Sequence, residues 1–416
     1  MNIPFKTFRI RQQLDKTAIA DPYTETRREM DLLPCKGVRQ GQSVAVTASS
    51  RGITDIVPIT KAVVDHFTKR GLRPFIVPAM GSHAGGTAES QKKLLDDCGL
   101  TAETLGCPIH SGTETIILGE LQVGDGSCCL CPIHLDRFVF EADHVFLVNR
   151  IKSHTRFTGP IESGLLKMLM IGLGNPVGAS LYHRAIADDR FSDVIRQVAD
   201  FVMEKRSVLG GLGIVENAVG RTAKVQAVAA ENLAAAEEKL LILAKQLTPR
   251  LPFDEIDLLM IERIGKNISG TGFDTNVVGR KFNDHRAVRG EKPVVHRIAV
   301  LGLTPETHGN ATGIGIAEFC LSSLLQEIDI AATRLNSITA DHVSAAMIPL
   351  DYETEAEIVD AARHSLGSPE PSSFRVLRIR DTQHLEEMIA SEALTKNLPE
   401  FVEILGEAKH LTGTLL

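Results

Sequence analysis

VFLVNRIKSHTRFTGPIESGLLKMLMIGLGNPVGASLYHRA, residues 145–185, is the stretch on which the reading of the chain turns. It opens as the end of a buried strand, residues 145–148, and empties into a polar loop that carries Lys152 and His154. Then comes Gly164-Leu165-Leu166-Lys167-Met168-Leu169-Met170-Ile171-Gly172, a short apolar helix with one lysine in its middle. After a Gly/Pro turn over 174–178, a second short helix carries His183. An ammonium in so apolar a run either snorkels to water or takes part in chemistry. Snorkelling is the commoner outcome. His154, Lys167 and His183 on one strand–loop–helix unit argue for chemistry.

The same grammar extends upstream. Residues 44–48 read as a buried strand, followed by the loop Ser49-Ser50-Arg51-Gly52. The next helix keeps Ile56, Ile59, Val63 and Phe67 at helical spacing, with Asp55 as its N-cap. Gly71 ends it, and the strand 74–79 delivers Gly81-Ser82-His83-Ala84-Gly85-Gly86 before a helix over 87–98. Polar, glycine-bearing loops thus leave the carboxyl ends of presumed parallel strands, where ligands sit in open α/β sheets. Arg51, His83 and His154 come from three such loops and are expected at one sheet edge.

Downstream lie an amphipathic helix over 191–206, Gly-rich strands within 209–229, and a long helix over 232–247. That helix carries Leu233, Ala236, Leu240, Leu243 and Leu247 on one stripe. Thr248-Pro249-Arg250-Leu251-Pro252 stops it and marks a domain boundary. The expected division is a catalytic and cofactor-binding domain over 1–249 and a second domain over 250–416. The second half restarts with a strand over 256–261 and a polar loop holding Lys266. Glycines at 265, 270 and 272 let backbone approach a ligand closely. After a strand over 297–303, the segment 309–315 should precede an apolar helix and offer an anion-binding turn. Thr354 to Glu357 spell a capping box. A strand over 375–379 and helical segments to 416 follow. The expected fold is α/β, with two α/β domains, mainly parallel sheets and an active-site cleft between the domains.

Size and charge set limits on function. A chain of 416 residues can bury two full cores. A net charge of −7, no Trp and three Tyr give no footprint for nucleic acid or anionic membrane. The N-terminus has no apolar leader and no run reaches the length of a membrane span. Seven cysteines, an odd number, point to free thiols in a reducing compartment, hence a cytoplasmic protein. Cys128, Cys129 and Cys131 cluster without a second pair at ligand spacing, and read as core residues of a strand.

Two histidines on separate loops suit acid–base chemistry near neutral pH, and a third can ligate a metal. Arg51 and Lys266 suit an anionic substrate. The ordered set Ser-Ser-Arg51, Gly-Ser-His83, Ile-Lys-Ser-His154, Gly-Leu-Leu-Lys167 and Leu-Tyr-His183 resembles the nickel-dependent lactate racemase family. Its most specific element is the sixteen-residue interval from Lys167 to His183. The resemblance implies Lys167 as the attachment point of a nickel pincer nucleotide, a pyridinium mononucleotide whose thioacid groups hold nickel. It implies His183 as the protein's nickel ligand, His83 and His154 as paired acid/bases, and Arg51 on the substrate carboxylate. Lys266 resembles a substrate-contacting lysine of the second domain. The activity implied is racemisation or epimerisation of a 2-hydroxy acid by proton-coupled hydride transfer to that cofactor. Cofactor-making enzymes are then required partners, and a homo-oligomer stays open.

The chain departs from the family in its pocket. Lactate racemases carry an Asp-His-Thr-Arg-Pro-like string where this chain has Ala48-Ser49-Ser50-Arg51-Gly52. Their His-Arg-Pro-like loop is His83-Ala84-Gly85-Gly86 here, and the interval from His154 to Lys167 is longer than theirs. A substrate larger or more polar than lactate is expected. Two other readings use the same residues: a cofactor-free metal-dependent lyase or hydrolase, and a non-catalytic binder of a nucleotide or small anion.

Overall fold

The computed structural model describes the chain except residues 1–4, 36, 50–51, 82–85, 123–129, 186–190 and 409–416, and except the side chains of 183–185. It is mixed α/β with mainly parallel sheets. The first strand, β1 (Thr7–Gln12), does not join the residues that follow it. Residues 1–15 belong with 249–416, and residues 16–248 form the other compact unit. A division in sequence order at 249 leaves this exchange out.

In the unit 16–248 the strands are β2 (Ser43–Ala48), β3 (Arg73–Pro78), β4 (Thr115–Leu121), β5 (Cys131–Asp136), β6 (His144–Arg150), β7 (Val208–Glu216) and β8 (Thr222–Ala229). β4 and β5 pair by themselves. The rest form one sheet in the order β3-β2-β6-β7-β8, parallel except for β8. Val44 to Ala48 are all buried, as a parallel strand covered on both faces requires. Helix Ile56–Lys69 buries Ile56, Ile59, Val63 and Phe67 as their spacing predicts. Asp55 does not cap it; its Oδ2 accepts the Thr222 hydroxyl at 2.7 Å instead.

The chain passes from β2 outward to β3, then back across β2 to β6. The loops after β2 and β6 therefore flank a switch point, where doubly wound sheets place their ligands. Glycines in β7 let helices seat closely over this region. A Cβ on Gly211 would stand 3.1 Å from Leu165 Cδ1, and one on Gly213 would stand 2.8 Å from Leu240 Cδ1. Helix Leu233–Leu247 buries Leu233, Glu237, Leu240, Leu241 and Ala244. Its inward face is thus rotated from the expected stripe, and it includes a glutamate.

The other sheet contains β9 (Glu255–Ile261), β10 (Val294–Val300), β11 (Phe319–Leu321), β12 (Leu350–Tyr352), β13 (Val376–Ile379), β14 (Glu387–Ser391) and β15 (Val402–Ala408). Its order is β12-β11-β10-β9-β13-β14-β1-β15, with β9 to β13 parallel and the last three antiparallel. The expected capping box is present, Thr354 and Glu357 each bonding the other's backbone. Two expectations fail here. Segment 309–315 leads into a single 3-10 turn, Ile314–Ile316, and a strand, so it has no helix N-terminus to offer an anion. The described tail holds one short helix, Glu392–Thr395, between two strands that were not expected, β14 and β15, which take their partner, β1, from the other end of the chain. Cys131 is a buried strand residue, its thiol pushed up by burial, while Cys128 and Cys129 lie outside the described residues. No described helix is long and apolar enough to cross a membrane.

Candidate functional site

The loop after β6 is closed at its neck. Lys152 and Ser163 pair their backbones, and Asn149 Nδ2 donates to the Gly164 carbonyl at 2.8 Å. Inside the loop Glu162 is fully buried. Its Oε2 accepts the His154 N–H at 2.7 Å, and its Oε1 lies 2.6 Å from Lys245 Nζ. Phe157 stacks on Phe191 with centroids 4.2 Å apart, and the His154 ring leans on both. Ser192 Oγ donates to the Ile161 carbonyl at 2.7 Å. This polar segment is therefore held on the start of helix Phe191–Lys205 at several points.

His154 Nδ1 accepts the backbone N–H groups of Arg156 at 3.1 Å and Phe157 at 3.2 Å. The neutral ring then carries its proton on Nε2. This tautomer presents Nε2–H as a donor.

Lys167 ends a three-residue α turn, Leu165–Lys167, that widens into a π turn, Met168–Gly172. Lys167 is half-buried, while every other residue from Gly164 to Asn175 is buried. Helix Asn175–Ala185 packs on the π turn and carries His183, whose side chain lies outside the described residues. The start of this helix is held by Asp136, whose Oδ2 accepts Asn175 Nδ2 at 2.8 Å. Burial pushes the Asp136 carboxyl up, against the hydrogen bonds it accepts.

Arg51 and His83 also lie outside the described residues, but their loops are anchored on either side. Gly81 N–H donates to the Gly172 carbonyl at 3.2 Å, and a Cβ on Gly86 would stand 2.7 Å from Pro176 Cγ. The His83 loop is thus fastened at one end to the turn following Lys167 and at the other to the helix carrying His183. Next to the Arg51 loop, Thr54 N–H donates to Glu216 Oε1 at 3.2 Å, and Arg150 pairs with the same glutamate. β2, β3 and β6 run parallel, so these loops leave one sheet edge, as expected. Lys266 sits in the loop after β9, its Nζ donating to the Gly270 carbonyl at 2.7 Å and its N–H to Thr307 Oγ1 at 3.1 Å. Gly265 and Gly272 of that loop serve packing. A Cβ on Gly272 would stand 2.6 Å from the Thr312 carbonyl oxygen.

Glu237 was not expected at the site. From helix Leu233–Leu247 its Oε2 accepts the Leu166 N–H at 2.9 Å. It is fully buried, and desolvation pushes its carboxyl up to about 7 although the Leu166 and Leu165 amides hold it down. A signal existed: position 237 falls on the 233/240/244 face, where a charge breaks the apolar stripe.

With this geometry in hand the chain can be compared with known proteins. No family model matches it, and no curated protein sequence matches it. The lactate racemase apoprotein from Thermoanaerobacterium thermosaccharolyticum superposes with a TM-score of 0.53 at 13% identity, over 90% of this chain and 94% of that one. The fold is lactate-racemase-like. A structural-genomics protein from Thermotoga maritima is similar too, with a TM-score of 0.52 at 15% identity over 79% of this chain and 83% of that one.

Proposed function

We propose that this protein is a cytoplasmic racemase or epimerase of a 2-hydroxy acid that works with a nickel pincer nucleotide joined to Lys167. The observation that carries the reading is Lys167 itself. It is the single residue between Gly164 and Asn175 that is not buried, on a helix that follows the central strand at its carboxyl end, where doubly wound sheets commonly place ligands. A primary amine on a half-buried residue of a packed helix suits a covalent link. Among the described residues no three His, Cys, Asp or Glu side chains gather as a metal site. His183 is the chain's proposed nickel ligand, in a donor set otherwise supplied by the cofactor. The racemase-like fold supports the reading at the level of architecture.

When bound, the cofactor supplies a reversible hydride acceptor for a C–H bond too weakly acidic for a histidine to break. The chain's own residues do the rest. Arg51 grips the carboxylate by a bidentate contact. His83 and His154 serve the oxygen on C2: His154 donates its Nε2–H to that oxygen, and His83 takes the hydroxyl proton as the C–H bond breaks and returns it as the bond re-forms. Lys266 is proposed as a further substrate contact. Arg51 and the two histidines read only the hydroxy acid head, so the rest of the substrate meets the segment 155–163 and Lys266. Gly85 follows His83 in sequence without a side chain, whereas the space beside Gly86 is taken by Pro176. The substrate is then larger or more polar than lactate, such as a hydroxy-dicarboxylate or a sugar acid.

The test is protein made beside the cofactor-making enzymes, examined by intact mass, nickel content and chiral analysis of single enantiomers. A mass adduct on Lys167, absent from Lys167→Ala, and interconversion of a 2-hydroxy acid are expected. An adduct that persists in Lys167→Ala would refute the attachment, and lactate as best substrate would refute the pocket assignment.

A further inference from the structure

We infer that Glu237 is the positioning residue of Lys167. The helix Leu165–Gly172 lacks a side-chain cap of its own, since its N-cap position is Gly164. Free N–H groups at the start of a buried helix must find acceptors. Glu237 provides them from a different element, with Oε2 on the Leu166 N–H at 2.9 Å and the Leu165 N–H also within its reach. The other oxygen lies against the backbone of the same turn: a Cβ on Gly164 would stand 2.2 Å from Oε1. That oxygen has no hydrogen-bond partner among the described residues. A fully buried, half-satisfied carboxyl is costly, and a neutral apolar side chain would fill the same space at lower cost to stability. What only an acceptor at 237 achieves is to fix the turn that ends in Lys167. The Lys167 amine is thereby presented from a rigid base rather than from a fraying end. This rests on the reading of Lys167 as the attachment point.

The experiment compares Glu237→Gln, which keeps an acceptor, with Glu237→Leu, which keeps bulk and loses it. Gly164→Ala probes the contact from the other side, since its methyl would push the carboxyl off the turn while position 164, extended at φ −173, accepts any residue. Two readouts need no cofactor: hydrogen exchange at the Leu165 and Leu166 amides, and acetylation of Lys167 by trace acetic anhydride relative to Lys152 and Lys245. Losing one hydrogen bond at a buried amide should speed both for Glu237→Leu and Gly164→Ala by about 5- to 30-fold. Amides of helix Phe191–Lys205 should be unchanged, and Glu237→Gln should stay closer to wild type than to Glu237→Leu. If Glu237→Leu does not fold, Gly164→Ala decides. Unchanged exchange and labelling in the folded variants, or a glutamine variant as loose as the leucine one, would overturn the role. Absence of any adduct on Lys167 would instead sink the attachment reading and leave the exchange result standing.

Discussion

Glu237 also makes a prediction in the pH dependence of stability. Its carboxyl is pushed up from 4.5 to about 7, chiefly by burial and against the pull of the Leu166 and Leu165 amides and of Arg196. A carboxyl whose pKa is higher in the folded than in the unfolded state stabilises the fold below the unfolded value. That contribution is lost as pH climbs from 4.5 to about 7. Glu237→Gln has no such proton to lose. Urea unfolding at pH 5 and pH 8 should therefore show wild type losing roughly 2–3 kcal/mol relative to Glu237→Gln over that interval. Parallel pH responses of the two proteins would mean that the carboxyl is not buried as described. At this scale the sequence was partly legible. Lys167 stood out because every neighbour is apolar, and His154 because a polar loop follows a buried strand. The tautomer of His154 was not legible, since it depends on two backbone amides whose direction only the folded loop sets. The part played by Glu162 was hidden for a similar reason: its partner Lys245 is distant in sequence.

Elements were legible where one period dominates. The parallel strands β2, β3 and β6 announced themselves as apolar runs, and helix Ile56–Lys69 as a regular stripe. The π turn after Lys167 was not, because its extra residue is accommodated by contacts from elsewhere. Gly172, for example, lies so close to Ala79 that a Cβ would stand 2.9 Å from its carbonyl oxygen. Segment 309–315 misled because glycines that serve loop packing look the same in sequence as glycines that cradle an anion. The closed loop between Lys152 and Ser163 carries its own expectation. Phe157 fastens it by stacking on Phe191. Phe157→Ala removes that contact at a buried position and should cost about 3 kcal/mol. Because the loss falls mainly on the loop, trypsin cleavage after Arg156 should also accelerate well beyond cleavage elsewhere. Peptide mapping over a digestion time course checks this, and an unchanged rate after Arg156 would show that the stack does not hold the loop.

The whole molecule holds the part least legible in sequence. Both halves carry the signature of an α/β unit, and the chain does divide near Thr248. Nothing local in residues 7–12 says that they pair with strands almost four hundred positions away. β1 sits between β14 and β15, with Ile10 fully buried and with Arg9 and Arg11 meeting Glu387. A strand in the middle of an antiparallel set satisfies backbone groups on both sides, so its loss leaves β15 without its partner and bares one edge of β14. The segment 16–248 contains all strands of its own sheet and should fold alone. The segment 249–416 should be impaired, whereas residues 1–15 joined to its start by a flexible linker should restore it. Loss of the Ile10 contact alone is worth about 2–3 kcal/mol. For a unit of this size that corresponds to roughly 5–10 °C in melting temperature. Thermal unfolding of the three fragments by circular dichroism is the measurement. Equal melting of 249–416 with and without residues 1–15 would show that β1 adds nothing to the sheet it enters.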